Sequence, residues 1–253
     1  MRDRIRYTII FYKVLLGISV IIPSLNEEKN IRDTIESCIR ASRLANVDIE
    51  LICIDDCSSD STGKIIAELA RKHSEVVSVR NEINLGFGGS FWKGVELANN
   101  SAVVVIPGDN ENELSQIIKY YHLMSEVGMV IPYPTNVQKR SMVRRFISKL
   151  YLKIVNLSFG VNFRYTNGTI LYKKDLLESL SIKMDSFMFQ TANLIQLSRQ
   201  GIAYAEVPYL LNQRRAQQKS SALKLKTLLA VIQSYFKLLK YCYMPQGCRI
   251  KRN

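Results

Sequence analysis

Five short apolar runs that do not alternate constrain this chain more than any other feature. They are residues 18–23 (ISVIIP), 49–55 (IELICID), 76–79, 102–107 (AVVVIP) and 128–132. A strand with one wet face alternates apolar and polar residues; a continuous β-branched run is covered on both faces. Between the runs lie segments with helical spacing. Residues 27–42 place Ile31, Ile35, Cys38 and Ile39 on one face, and residues 61–72 place Ile65, Ile66 and Leu69 on one face. Segments 88–99 and 112–124 read as further helices. This succession predicts an α/β fold with a mostly parallel central sheet and helices on both faces. Ligands of such sheets bind at the carboxyl ends of the strands.

The second half is less regular. Residues 139–156 mix basic and apolar residues, 167–172 and 202–211 read as strands, and 187–200 as a helix. Residues 222–243 form a long amphipathic helix carrying Lys224, Lys226, Lys237 and Lys240. The simplest division is a catalytic domain over 1–215 and a basic amphipathic helical tail over 216–253. Within the domain, 18–135 and 136–215 read as two halves, the first regular and the second less so.

Charge follows that division. Residues 1–138 hold 14 Lys/Arg against 18 Asp/Glu, a net of −4; residues 139–253 hold 21 against 4, a net of +17. A basic half beside an acidic one implies a polyanion or an anionic membrane surface as its partner. A nucleic-acid partner is not expected, because Trp92 is the only Trp and no basic stretch carries a nucleic-acid signature. The five cysteines (Cys38, Cys53, Cys57, Cys242, Cys248) show no zinc-pair spacing, and several lie in apolar runs. Buried thiols in a reducing compartment fit better than a disulfide scaffold. No run reaches 18 apolar residues, and the N-terminal stretch lacks a small-residue cleavage site. Neither a spanning helix nor a secretory signal is expected, which leaves membrane contact at the surface.

Four polar clusters fall where strands should end. They are Pro23-Ser24-Leu25-Asn26-Glu27-Glu28, Asp55-Asp56-Cys57-Ser58-Ser59-Asp60-Ser61-Thr62, Asn84-Leu85-Gly86-Phe87-Gly88-Gly89-Ser90, and Pro107-Gly108-Asp109-Asn110-Glu111. Taken singly, Ser24, Asn26, Ser58, Ser59 and Asp60 suit helix caps, and Gly86-x-Gly88-Gly89 suits a tight turn. The dinucleotide fingerprint G-x-G-x-x-G is absent after the first strand, where P-S-L-N stands instead.

In this order, SVIIPSLNEEKNI, ELICIDDCSSDSTGKII, NEINLGFGGSFWKGVELA and VVVIPGDNE resemble family 2 glycosyltransferases of the GT-A fold. The likeness is nearest to the polyprenyl-phosphate sugar synthases. It is strong over residues 18–115 and looser over 165–221, through FQTANLIQLSRQGIAYAEVP and RRAQQKSS. The resemblance implies a nucleotide-binding role for the half 18–135 and an acceptor- and membrane-facing role for the half 136–215. It implies that Pro23, Asn26, Glu27 and Glu28 hold the nucleotide, that Asp55 and Asp56 meet base and ribose, and that Gly86 and Gly89 admit it closely. It puts Asp109 on the second aspartate of the family's D-x-D metal motif. Mg²⁺ or Mn²⁺ on one or two carboxylates would neutralise the departing diphosphate.

Two departures stand out. Pro107 occupies the place of the first aspartate, so the metal pair becomes Asp109 with Glu111, or metal binding is weakened. Relatives carry an acid three residues after the Phe of FQ-x-E; here that residue is Ala192. A sugar hydroxyl needs a general base near pH 7, whereas a phosphate oxygen is already ionised. The missing acid therefore favours a lipid phosphate acceptor, with Asp185 and Glu206 the alternative bases. Arg214, Arg215, Lys219 and Ser220 roughly match the family's R-x-x-G-x-S loop and suit an acceptor phosphate or diphosphate, with Arg215 catalytic.

The expected activity is metal-dependent transfer of a hexosyl group. The donor is a nucleotide-diphosphate sugar and the acceptor a polyprenyl phosphate, at the inner face of a membrane to which the protein is peripheral. The alternatives are transfer to a glycan hydroxyl and a degenerate GT-A binding module. Self-association of the chain is compatible with each.

Overall fold

The computed structural model describes residues 17–137, 142–210 and 225–244, without the side chains of Arg144 and residues 225–228. Seven strands form one sheet: β1 (Ile18–Ser24), β2 (Ile49–Asp55), β3 (Val76–Arg80), β4 (Ala102–Val105), β5 (Met129–Pro134), β6 (Leu171–Lys173) and β7 (Tyr204–Tyr209). Their order is β3-β2-β1-β4-β6-β5-β7. β6 alone runs antiparallel, bonded to β4 on one side and β5 on the other. β1, Ile18–Ser24, is buried at every position, as its unalternating sequence requires.

Helices cover both faces. On one side α1 (Ile31–Ala45), α2 (Thr62–Lys72) and the short α4 (Ser115–Ile118) bury Ile35, Cys38, Ile66, Leu69 and Ile117 against Val20, Ile22 and Leu51. On the other, α3 (Gly86–Leu97), α5 (Met142–Phe159), α6 (Lys174–Glu178), α7 (Phe189–Arg199) and α8 (Leu225–Tyr243) surround Ile21, Val103, Ile131 and Tyr172. Leu238 and Cys242 of α8 are fully inside this second core, so the C-terminal helix packs on the main body.

Several boundaries depart from the sequence expectation. The helix expected from residue 27 starts at Ile31, because the amides of residues 26–28 are spent on hydroxyl and carboxylate groups of the neighbouring loop. The helix expected over 112–124 is α4 followed by a 3-10 turn, Tyr121–Ser125. Its apolar residues Leu114, Ile117, Ile118, Tyr121 and Met124 are buried all the same, since that spacing suits either winding. The strand expected over 167–172 shrinks to Leu171–Lys173. Of the cysteines, Cys38, Cys53 and Cys242 are buried free thiols, while Cys57 is exposed. Among the described residues no helix is long and apolar enough to cross a membrane.

Candidate active site

The strand order reverses at β1, which pairs with β2 on one side and β4 on the other. Crevices at such reversals hold ligands outside the strand carboxyl ends. All four polar clusters lie there. Ser24 is in register with Asp55, Gly108 donates its N–H to Pro23 O at 3.1 Å, and Asp56 donates its N–H to Ser24 O at 2.8 Å.

The first two loops are stitched together. Asn26, held at a left-handed φ of 57°, donates its N–H to Ser58 Oγ (2.9 Å), and its Oδ1 accepts from the Ser59 amide (2.9 Å). Glu27 N–H donates to Thr62 Oγ1 (2.8 Å), Glu28 N–H to Asp60 Oδ2 (3.2 Å), and Ser61 N–H to Glu28 Oε2 (3.1 Å). Burial raises the Asp60 carboxyl, but hydrogen bonds from Thr62 and from the Glu28 amide outweigh it and hold the group below its usual range. The polar residues at 58–62 thus cap the neighbouring loop rather than only their own helix, a role their sequence position does not reveal.

Asp55 and Asp56 are both buried, at 1% and 3% exposure, yet they differ in their partners. Asp55 Oδ1 accepts from the Ser58 amide at 2.9 Å; its Oδ2 lies 3.3 Å from Arg80 Nη1 and has no hydrogen-bond partner. Asp56 accepts from Asn81 Nδ2 (2.7 Å) and Leu85 N–H (2.8 Å) on Oδ1, and from Gly86 N–H (2.8 Å) on Oδ2. Asn81 is in turn held by Lys93 Nζ (2.8 Å). Asp56 is therefore the anchor of the glycine-rich turn.

The glycines of that turn have reasons within the protein. Gly86 sits at φ 75°, where a side chain is strained. A Cβ on Gly88 would lie 2.6 Å from backbone atoms of Met184 and Asp185, and one on Gly89 would lie 2.8 Å from Leu85 Cβ. Gly88 N–H donates to Asp185 O at 3.1 Å, which fixes Asp185, an exposed side chain, beside the start of α3.

Asp109 and Glu111 are half-buried just past β4. Asp109 Oδ1 accepts the Glu111 N–H at 2.9 Å, and Asn110 between them takes φ 56°, so the loop doubles back on the aspartate. Among the described residues no three His, Cys, Asp or Glu cluster around a metal position. Two hard carboxylates still fit Mg²⁺ or Mn²⁺, ions that take one or two carboxylates and complete their shell with water and substrate phosphates. Beyond this loop, Tyr209 OH donates to Asn112 Oδ1 at 2.9 Å and joins it to the end of β7.

Of the alternative bases, Glu206 Oε1 accepts the Arg164 N–H at 2.7 Å. Ala192 is fully buried in the second core. Gln190, two residues earlier, brackets Gly168 by donating to its O and accepting its N–H (3.0 Å). Arg214, Arg215, Lys219 and Ser220 lie outside the described residues.

Residues 19–181 match the family described as glycosyl transferase family 2, and the chain belongs to that family. It is 31% identical over 150 residues to a putative glycosyltransferase, CsbB, of Bacillus subtilis; the match spans 58% of this chain and 45% of that protein. It is 25% identical over 144 residues to the undecaprenyl-phosphate 4-deoxy-4-formamido-L-arabinose transferase of Proteus mirabilis, spanning 56% of this chain and 44% of that one. The chain thus spans less than half the length of these curated relatives. The fold is that of glucosyl-3-phosphoglycerate synthase from Mycobacterium tuberculosis, solved with Mn²⁺, UDP-glucose and phosphoglyceric acid. The TM-score is 0.65 at 19% identity, over 88% of this chain and 79% of that one. The fold is accordingly GT-A, and the sequence resemblance to polyprenyl-phosphate sugar synthases holds.

Proposed function

We propose that the protein transfers a hexosyl group from a nucleotide-diphosphate sugar to a polyprenyl phosphate at an anionic membrane surface. The observation that carries this reading is the convergence of the Pro23–Glu28, Asp55–Thr62, Asn84–Ser90 and Pro107–Glu111 segments on the carboxyl ends of β2, β1 and β4. The acidic loop at 109–111 lies beside the reversal in strand order. Relatives named as undecaprenyl-phosphate transferases support the acceptor class.

In this mechanism Asn26, Glu27, Glu28 and Asp55 border the nucleoside, and Asp56 acts through the turn that it anchors, with Gly86 and Gly89 under the nucleotide. Asp109 and Glu111 would hold Mg²⁺ or Mn²⁺, which would supply charge neutralisation to the departing diphosphate. The acceptor's phosphate oxygen, ionised near neutral pH, bonds to the anomeric carbon while the bond to the diphosphate breaks. No side chain has to remove a proton, which agrees with an alanine at 192. Arg214, Arg215, Lys219 and Ser220 are the proposed clamp for the phosphates.

The outer faces of α5 and α8 support membrane placement. Met142, Val143, Phe146, Leu150 and Leu157 of α5 are exposed, as are Leu229, Ile232 and Phe236 of α8. Neither helix contains an Asp or Glu, while Arg145, Lys149, Lys153, Lys237 and Lys240 flank the apolar residues. Apolar faces rimmed only by cations suit an anionic leaflet, here taken to be the inner one.

The test is a transfer assay over a panel of nucleotide sugars with Mn²⁺, offering undecaprenyl phosphate or a water-soluble glycan. Product on the lipid phosphate is the expected result; efficient transfer to the glycan hydroxyl would overturn the acceptor assignment.

A further inference from the structure

We propose that Arg164 holds the phosphate of the acceptor, with the Tyr133 ring as the platform that aims it; this rests on the glycosyl-transfer reading above. Tyr133 is near the carboxyl end of β5. Because β6 is antiparallel to β4 and β5, the residues leading into it cross the end of the sheet where those strands finish. Arg164 arrives there with its guanidinium carbon 3.7 Å from the centre of the Tyr133 ring. Its backbone is fixed by the N–H it donates to Glu206 Oε1. The side chain is exposed, and among the described residues no carboxylate pairs with its guanidinium.

An aromatic ring beneath a guanidinium sets its plane and occupies one face. The N–H donors lie in that plane and form a fork matched to two oxygens of a phosphate. An arginine in solution would have to surrender side-chain freedom to bind; here the ring has already fixed it.

Position separates acceptor from donor. The nucleotide crevice lies between β1 and β4, and β5 is two strands beyond β4. At roughly 4.8 Å per strand that is about 10 Å, far enough for the sugar to lie between the diphosphate and Arg164. Continuity is provided by Tyr209, whose hydroxyl reaches Asn112 next to the acidic loop.

The experiment titrates the full chain with farnesyl phosphate, farnesol, inorganic phosphate and the nucleoside diphosphate. Arg164→Ala should weaken farnesyl phosphate at least tenfold and leave the nucleoside diphosphate and the melting temperature unchanged. Arg164→Lys should restore part of the binding, Tyr133→Phe should keep it, and Tyr133→Leu should fall between. In turnover, the KM for lipid phosphate should rise more than kcat falls. Inorganic phosphate should bind the wild type far more weakly than farnesyl phosphate; equal binding would make this a free-phosphate site and overturn the acceptor role. Unchanged farnesyl phosphate affinity in a folded Arg164→Ala overturns the proposal, as does an equal loss for the nucleoside diphosphate. If wild-type protein binds farnesyl phosphate no better than farnesol, it is the polyprenyl-phosphate reading that fails.

Discussion

Gly86 and Asp56 are thirty residues apart, and the amide of the first donates to Oδ2 of the second at 2.8 Å. With the Leu85 amide and Asn81 on the other oxygen, the carboxylate accepts three hydrogen bonds from within the protein. An aspartate at the end of a parallel strand invites the reading of a direct ligand contact. This one also shapes the loop. Asp56→Ala should therefore lower stability by ~1–3 kcal/mol as well as weaken nucleotide binding. Paired denaturant titration and nucleotide titration will separate the two losses; weakened binding at unchanged stability would return Asp56 to direct contact.

Asp109→Asn should abolish transfer, because the residue is the acidic group common to both registers of the metal motif. Glu111→Gln should cost less, since an amide oxygen still coordinates a hard cation. Rates measured against Mn²⁺ concentration test this, and full activity in Asp109→Asn would remove the metal assignment.

Gly88→Ala should be destabilising by ~1–3 kcal/mol, an overpacking cost. The atoms its Cβ would meet belong to the backbone of Met184 and Asp185 and cannot rotate away. Thermal melts suffice as the check; an unchanged melting temperature would mean that the 184–185 segment yields freely.

Glu50 sits at the far end of the sheet from the crevice. Burial acts to raise its carboxyl, but hydrogen bonds from Ser19, Asn99 and Asn100 together hold it below its usual range. A depressed carboxylate contributes stability above its unfolded pKa of ~4.3 and loses it as pH falls through the folded value. Acid titration of stability should show this loss below about pH 4.3, and Glu50→Gln should flatten it without altering nucleotide binding. An acid limb of equal slope in both proteins would assign the effect elsewhere.

Changing Arg145, Lys149 and Lys153 together to Gln should release the protein from anionic vesicles. At ~1 kcal/mol each, partitioning should drop by roughly a hundredfold, as raising the salt would also achieve. Nucleotide binding should persist. Undiminished sedimentation with vesicles would leave α8 as the membrane contact or exclude one altogether.

The parallel sheet was legible because buried β-branched runs have few other uses, and the clusters at 23–28, 55–62, 84–90 and 107–111 were legible because their order tracks the strand ends. What stayed hidden depends on contacts distant in sequence. Nothing near Ser58 or Thr62 tells that their oxygens serve the amides of Asn26 and Glu27. Arg164 lies in an unremarkable stretch, and only folding brings it over Tyr133. The winding of residues 115–125 was equally hidden, since the same buried positions suit an α-helix or a 3-10 turn.

The antiparallel β6, three residues long, is the only strand between β4 and β5. The donor-side loops are all in place before the chain reaches it, and Arg164, Gln190 and Tyr209 flank it or follow. On the proposed reading, donor choice and acceptor choice are written on separate stretches of chain that meet at one narrow seam. Grafting a relative's residues from position 160 onward, with β6 kept in register, should exchange one preference while the other is inherited intact.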